Sequence, residues 1–491
     1  MLRSSPSLMC QLAADASRHI RSILPIRSIN CSFLGVSTSE RRLTQGEGRV
    51  GNKKGAIKQA GGRGSADMLM LVGALLTGTL LPVGGCHQTV SRDANEHAES
   101  AIIVVPGYYG TRLAQVADGD LVFISAWESL FGTRSLVLPF PGMGNRKGLE
   151  LRPDGILQTV TVIPFLYSVE VYGSVVDALQ RFHDGQVMVV PLAYDWRADL
   201  NQAVRDLHNE VNRLRAQGVK RIAVVAHSMG GLIVGYYLRY GVQSPDEAKE
   251  TWDGASHMDA VVLTGVPFRG SMTIFRNMQY GRHFGLNTTL LDQEAVASFP
   301  ASYFVLPAAE GDLLLTPRLE PVKGLIRQAR NWRMYGWGLL KEARQLSSDL
   351  GDQRAAYTDH WLTQADRFID RLLAPLSVSN RKPIPLLAVA GRGQRTLATG
   401  VLGGPDPASP CTSLFFDEHH FKTCLPKADP SVGLEDGDGT VTVRSASLPE
   451  AYEQAFVVTH RVTTAGHGEL VSDADLQAEV FAFLETALPQ Q

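Results

Sequence analysis

Beyond about residue 100 the chain alternates short apolar runs with amphipathic stretches. Residues 101–105 (AIIVV), 187–192 (VMVVPL) and 221–226 (RIAVVA) are continuous apolar runs of strand length. Runs without polar alternation belong to strands covered on both faces. Residues 199–217 carry Leu200, Val204, Leu207, Val211 and Leu214 at three- and four-residue steps, which predicts an amphipathic helix. Residues 260–263, 385–390 and 455–458 add strands, and 476–488 a closing helix. Strands alternating with helices predict an α/β fold with a doubly wound, mostly parallel sheet. The rhythm breaks over about 110–160 and again over about 270–380. The second stretch holds Trp332, Trp337 and Trp361 in a helical pattern and reads as a cap inserted between core strands.

Composition narrows the class. With 44% hydrophobic residues and a formal net charge of -2 over 491 residues, the chain is too apolar for disorder and too balanced for nucleic-acid binding. The balance is uneven, however. Residues 1–63 hold eleven basic residues against three acidic, so residues 1–67 read as a basic leader rather than a domain. An uncharged run over 68–82 follows, and then Val83-Gly84-Gly85-Cys86. Fifteen uncharged, mostly apolar residues suit a signal segment better than a spanning helix. Residues 68–86 resemble a bacterial lipoprotein signal, with Cys86 as the lipid anchor. An ordinary cleaved signal peptide and an organellar transit peptide are the alternatives. Without residues 1–85 the chain holds 36 basic and 45 acidic residues, the balance of an acidic exported protein whose membrane contact would need an anchor and an apolar lid.

Chemistry concentrates where a strand pattern meets a helix pattern. Ala226-His227-Ser228-Met229-Gly230 has the form of a nucleophile elbow, with Ala226 at the position usually held by glycine. Such a turn lifts the Ser228 hydroxyl over the carboxyl ends of the strands and points the Met229 N–H at a developing oxyanion. An elbow calls for an acid and then a histidine downstream. The acidic, glycine-rich stretch 434–441 offers Asp438, with Asp436 as the alternative, and His467 in Gly466-His467-Gly468 is the candidate base. His460 lies within a strand pattern and reads as a packed or surface residue. The loop after the first strand, Pro106-Gly107-Tyr108-Tyr109-Gly110, is the source of a second oxyanion donor, Tyr109 N–H first and Tyr108 N–H second. Outside the leader and Cys86, Cys411 and Cys424 remain as a candidate disulfide. Asp417, His419 and His420 lie between them, but no pair has close zinc-ligand spacing, and no metal or other cofactor is expected.

The ordered set Pro106–Leu113 (PGYYGTRL), Tyr194-Asp195-Trp196-Arg197, the Ser228 elbow, Gly265–Ser271 (GVPFRGS) and Glu435–Val441 (EDGDGTV) resembles the lecithin:cholesterol acyltransferase family. That family includes lysosomal phospholipase A2 and phospholipid:diacylglycerol acyltransferases. The resemblance spans roughly residues 100–487. It implies an α/β-hydrolase domain over 100–490 with a lid insertion near 114–160, Trp127 within it, and the cap near 271–380. It also implies Ser228, Asp438 and His467 as catalytic groups, with Tyr109 and Met229 as backbone donors. A phospholipid or other lipid ester would be the acyl donor, an alcohol, sterol or water the acceptor, and a membrane surface the site of action. The lid stretch lacks the paired cysteines of the animal enzymes. Two readings compete with acyl transfer: a plain lipase or esterase, and a non-catalytic lipid-binding surface lipoprotein. The Tyr194–Arg197 stretch reads as aromatic packing around an Asp–Arg pair.

Overall fold

The computed structural model describes residues 98–489 apart from 126–127, 129–131, 144–147, 164–166, 171, 285–286, 310, 342–346, 378–382, 404–413, 417–423, 426–428 and 430. The leader, Cys86, Trp127 and Cys411 lie outside the described residues.

Six strands form the central sheet: β1 (Ser100–Val105), β2 (Val187–Pro191), β3 (Arg221–His227), β4 (Ala260–Thr264), β5 (Pro385–Gly391) and β6 (Val457–Thr463). Their order across the sheet is β6-β5-β4-β3-β1-β2, and every pairing is parallel. Four helices matter for the site: α1 (Gly173–Gln180), α2 (Leu200–Ala216), α3 (Met229–Tyr240) and α4 (Ala474–Ala487).

The alternation of side chains along each strand explains the uninterrupted apolar runs. Ala101, Ile103 and Val105 of β1 pack in one core cluster with Leu207 and Val211 of α2 and Ile233 of α3. Ile102 and Val104 point the other way, into a second cluster with Val175 and Leu179 of α1 and Val480 and Leu484 of α4. Successive strand residues face opposite sides. A sheet with helices on both faces therefore asks for an apolar residue at every position, as β1 and β3 show.

Of the two edge strands, β6 differs. β6 starts two residues later than the hydrophobic run at 455–458 suggests, because residues 450–455 form a short helix. It pairs only with β5, and most of its side chains are exposed or half-buried. It can therefore carry His460 and Arg461, which the apolar pattern does not flag; His460 is exposed and lies 3.1 Å from Glu453.

Both stretches that break the strand–helix rhythm hold other architecture. Thr111–Gln115, Leu121–Phe123 and Leu151–Ile156 make a small antiparallel sheet. Between β4 and β5 lie several helices, the longest being the 26-residue Ser348–Leu373. The acidic stretch read as a loop from 434 begins as a strand, Leu434–Gly437, paired antiparallel with Gln394–Leu397. Among the described residues no helix is long and apolar enough to cross a membrane.

Candidate active site

The sheet order puts the site where it is. The chain runs from β1 outward to β2, then returns across β1 to lay down β3, so the connections leave β1 and β3 in opposite directions. Ligands of open α/β sheets bind in the crevice at the carboxyl ends of such a strand pair. Pro106 follows β1 at that end, and Ser228 follows β3.

Ser228 has φ 54° and ψ −129°, a backbone region that residues with a Cβ seldom occupy. The turn holds because its surroundings leave no other course. Ser228 N–H donates to the Thr264 carbonyl at 2.9 Å. A Cβ on Gly230 would lie 2.5 Å from the Val105 carbonyl oxygen, so only glycine lets α3 start this close to β1. On the opposite side a Cβ on Gly107 would lie 2.6 Å from the Ser228 Cβ. The loop after β1 therefore rests directly on the serine.

Three side chains meet in one hydrogen-bonded line. Ser228 Oγ is 2.9 Å from His467 Nε2, and His467 Nδ1 is 2.8 Å from Asp438 Oδ2. An ionised carboxylate can only accept, so Nδ1–H donates to Asp438 and Nε2 is left to accept the serine proton. Asp438 is 1% exposed, yet its second oxygen is also occupied, accepting from Thr440 N–H at 2.9 Å and Val441 N–H at 2.7 Å. Burial alone would raise its pKa; the adjacent His467 and these N–H donors outweigh it and hold the carboxyl below its ordinary value. Asp436 sits two residues earlier and is exposed on the strand, 3.4 Å from Arg392. Asp436 lies on the strand, whereas Asp438 follows its end at Gly437, where the chain turns inward to His467.

The loop Pro106–Gly110 is fixed at both ends by groups that carry no charge. Tyr194 Oη donates to the Pro106 carbonyl at 2.7 Å, and Trp196 Nε1 donates to the Thr111 carbonyl at 2.9 Å. Gly107 N–H donates to Tyr172 Oη at 2.8 Å. Tyr109 takes a positive φ of 68°, and neither its N–H nor that of Met229 donates to another described group. The Tyr108 N–H likewise donates to no described group, and N–H groups left free in this way are what an oxyanion requires.

The Tyr194–Arg197 stretch thus has a structural task. Besides gripping the loop, it packs Trp196 fully buried against Tyr108, Tyr109 and Phe123, with ring centroids 4.8–5.3 Å apart. Arg197 Nη2 meets Asp195 at 2.8 Å and Nη1 donates to the Leu136 carbonyl. Arg197 is buried, while Asp195 keeps part of its side chain in solvent.

Two residues near the site carry no signal that the sequence reading used. Tyr172 precedes α1 without any motif, and His227 sits inside the elbow unnoticed beside Ser228. Cys424 is disulfide-bonded. Among the described residues no group of three or more ligating side chains could hold a metal ion.

Residues 140–323 match the family model of lecithin:cholesterol acyltransferase. The matched segment contains Ser228 and the Tyr194–Arg197 stretch and stops before Asp438 and His467. No curated protein matches the chain. Among solved structures, a chain of the Tle4–Tli4 complex is 14% identical over 80% of this chain and 99% of that one, with a TM-score of 0.49. The Bacillus licheniformis lipase BlEst2 in its propeptide form is 13% identical over 80% of this chain and 51% of that one, with a TM-score of 0.30. A metagenomic carboxyl esterase is 13% identical over 84% and 78%, with a TM-score of 0.30. Six parallel strands and the turn at Ser228 give this chain an α/β-hydrolase fold, and over residues 140–323 it is similar to the lecithin:cholesterol acyltransferase family, a likeness that supports an enzyme acting on lipid esters.

Proposed function

We propose that the protein transfers acyl groups from a lipid ester through an acyl-enzyme on Ser228. The observation that carries this reading is the Ser228–His467–Asp438 line on a turn with positive φ. His467 Nε2 takes the proton as Ser228 Oγ attacks the ester carbonyl. Asp438 holds the imidazole in the required tautomer and stabilises its cation. The Met229 and Tyr109 N–H groups receive the developing oxyanion. The leaving alcohol departs with the proton from His467, and the ester is now on Ser228. An acceptor hydroxyl then attacks that ester with His467 again as base, which frees Ser228. Water as acceptor gives phospholipase or lipase activity, and an alcohol or sterol gives O-acyl transfer.

The family match favours transfer with accompanying hydrolysis; a plain lipase or esterase is the second reading. Export and anchoring through an acylated Cys86 belong to the same proposal, since an acidic chain gains nothing from the charge of anionic lipid. Labelled palmitate added to expressing cells should enter the wild type and not Cys86→Ala; equal incorporation removes the anchor.

The activity test incubates the purified full chain with acyl-labelled phospholipid, with and without cholesterol or a long-chain alcohol. Labelled ester of the acceptor is the expected product, absent in Ser228→Ala. Free fatty acid alone reduces the function to hydrolysis. Unchanged turnover by Ser228→Ala overturns the mechanism.

A further inference from the structure

We propose that Tyr172 and His227 are positioning residues that tie the Gly107 loop to the His467 loop beneath Ser228, setting the distance between oxyanion donors and base. The inference rests on the function proposed above and adds two residues to it.

The bonds run in one direction, and each is fixed by chemistry. The His467 carbonyl can only accept, so His227 Nε2–H donates to it, at 2.9 Å. The neutral imidazole then presents a lone pair at Nδ1, 2.8 Å from Tyr172 Oη, and Tyr172 O–H donates there. The same phenol oxygen accepts from Gly107 N–H at 2.8 Å. The line therefore reads Gly107 N–H to Tyr172 O–H to His227, and His227 N–H to the His467 carbonyl. It starts in the loop that rests on the serine and ends on the backbone of the base.

His227 is not a second base. Both its ring nitrogens are engaged, and Nε2 bonds the His467 backbone rather than Ser228 Oγ. Its ring lies 4.8 Å from that of His467. The titratable groups facing it are Tyr172, His467 and Asp438. Tyr172 and His227 are 2% and 6% exposed, so the line is shielded from bulk solvent. Burial, with the neighbouring His467, lowers the His227 pKa to about 3, which keeps the donor–acceptor order unchanged at ordinary pH.

Phenylalanine at 172 preserves the ring and removes both of its bonds. With p-nitrophenyl butyrate and the full chain, Tyr172→Phe should lower kcat about 10-fold with KM changed less than about 2-fold, because donors and base lose register while substrate contacts stay. His227→Gln, whose amide can still donate to the His467 carbonyl, should retain more kcat than His227→Leu. The double variant Tyr172→Phe/His227→Leu should be no slower than the worse single one, since both break one line. Wild-type kcat in Tyr172→Phe overturns the proposal, as do losses that multiply in the double variant or follow thermal stability alone. Ser228→Ala in the same assay separates the levels. If it is inactive while Tyr172→Phe is unaffected, the positioning role alone fails; if it retains turnover, the reading beneath fails as well.

Discussion

The loop after β1 and the loop after β6 meet over Ser228, and they are held there by different forces. On the β1 side, Tyr194, Tyr172 and Trp196 grip the backbone of residues 106–111 with uncharged polar tips on buried rings. On the β6 side, His467 is held by an ion: Asp438 accepts from Nδ1 and from two backbone N–H groups while almost wholly buried. The first arrangement suits a loop that must present N–H groups without moving. The second suits the base proposed for His467, because a carboxylate would stabilise the cation such a base forms. Shape fixes one side of the serine and charge the other.

Asp438→Asn strikes the charged side and should have the largest effect. The amide keeps the volume but not the tautomer control, so kcat should fall about 10³–10⁴-fold while folding survives. Asp436→Asn in the same assay should stay within about 2-fold. Equal losses from the two would erase the distinction between buried acid and surface ion pair.

Gly107→Ala strikes the other side through shape alone. A methyl 2.6 Å from the Ser228 Cβ must push the loop or the serine aside. A displacement approaching 1 Å at reacting atoms costs on the order of 10²-fold, and kcat on an aryl ester should fall by about that much. Wild-type kcat would mean that the loop yields freely.

Acid should separate the two sides by stability. His227 is neutral in the folded protein down to about pH 3, whereas an unfolded histidine takes up a proton below about 6.5. The unfolded state then binds more protons, so the stability tied to His227 is intact above pH 6.5 and is lost as pH falls toward 3. Between pH 7 and 4.5, urea unfolding should show the wild type losing about 2–3 kcal/mol more than His227→Gln. Parallel losses in both proteins would contradict this.

Tyr194→Phe should be the mildest. It removes one neutral bond to the Pro106 carbonyl, worth about 1 kcal/mol, and should lower kcat only a few-fold. A loss as large as that of Asp438→Asn would show the loop to be the weaker support.

Much of this was legible in the sequence, for physical reasons. A strand buried on both faces must be apolar throughout, so β1, β3 and β4 stand out; of the two edge strands, β2 keeps an apolar run, while β6 shows only its first residues before His460 and Arg461 interrupt it. The elbow is readable because the crowding of β3 against α3 admits few residues around Ser228. Asp438, His467 and the loop at 106–110 follow from the order in which such a fold supplies them. Tyr172 and His227 escape because their roles are made by contacts between residues 55 apart and, for His227 and His467, 240 apart. Such pairings leave no local period. The Tyr194–Arg197 stretch shows the intermediate case: its packing was readable, its grip on the loop was not.

The claim beneath all of this is that Ser228 is the atom acylated. Treating the purified full chain with a lipid-like fluorophosphonate and mapping the adduct by peptide mass spectrometry tests it most directly. One phosphonyl group is expected, on Ser228, formed far more slowly in Asp438→Asn and not at all in Ser228→Ala. An adduct on another residue, or an active enzyme that the reagent never modifies, would contradict it.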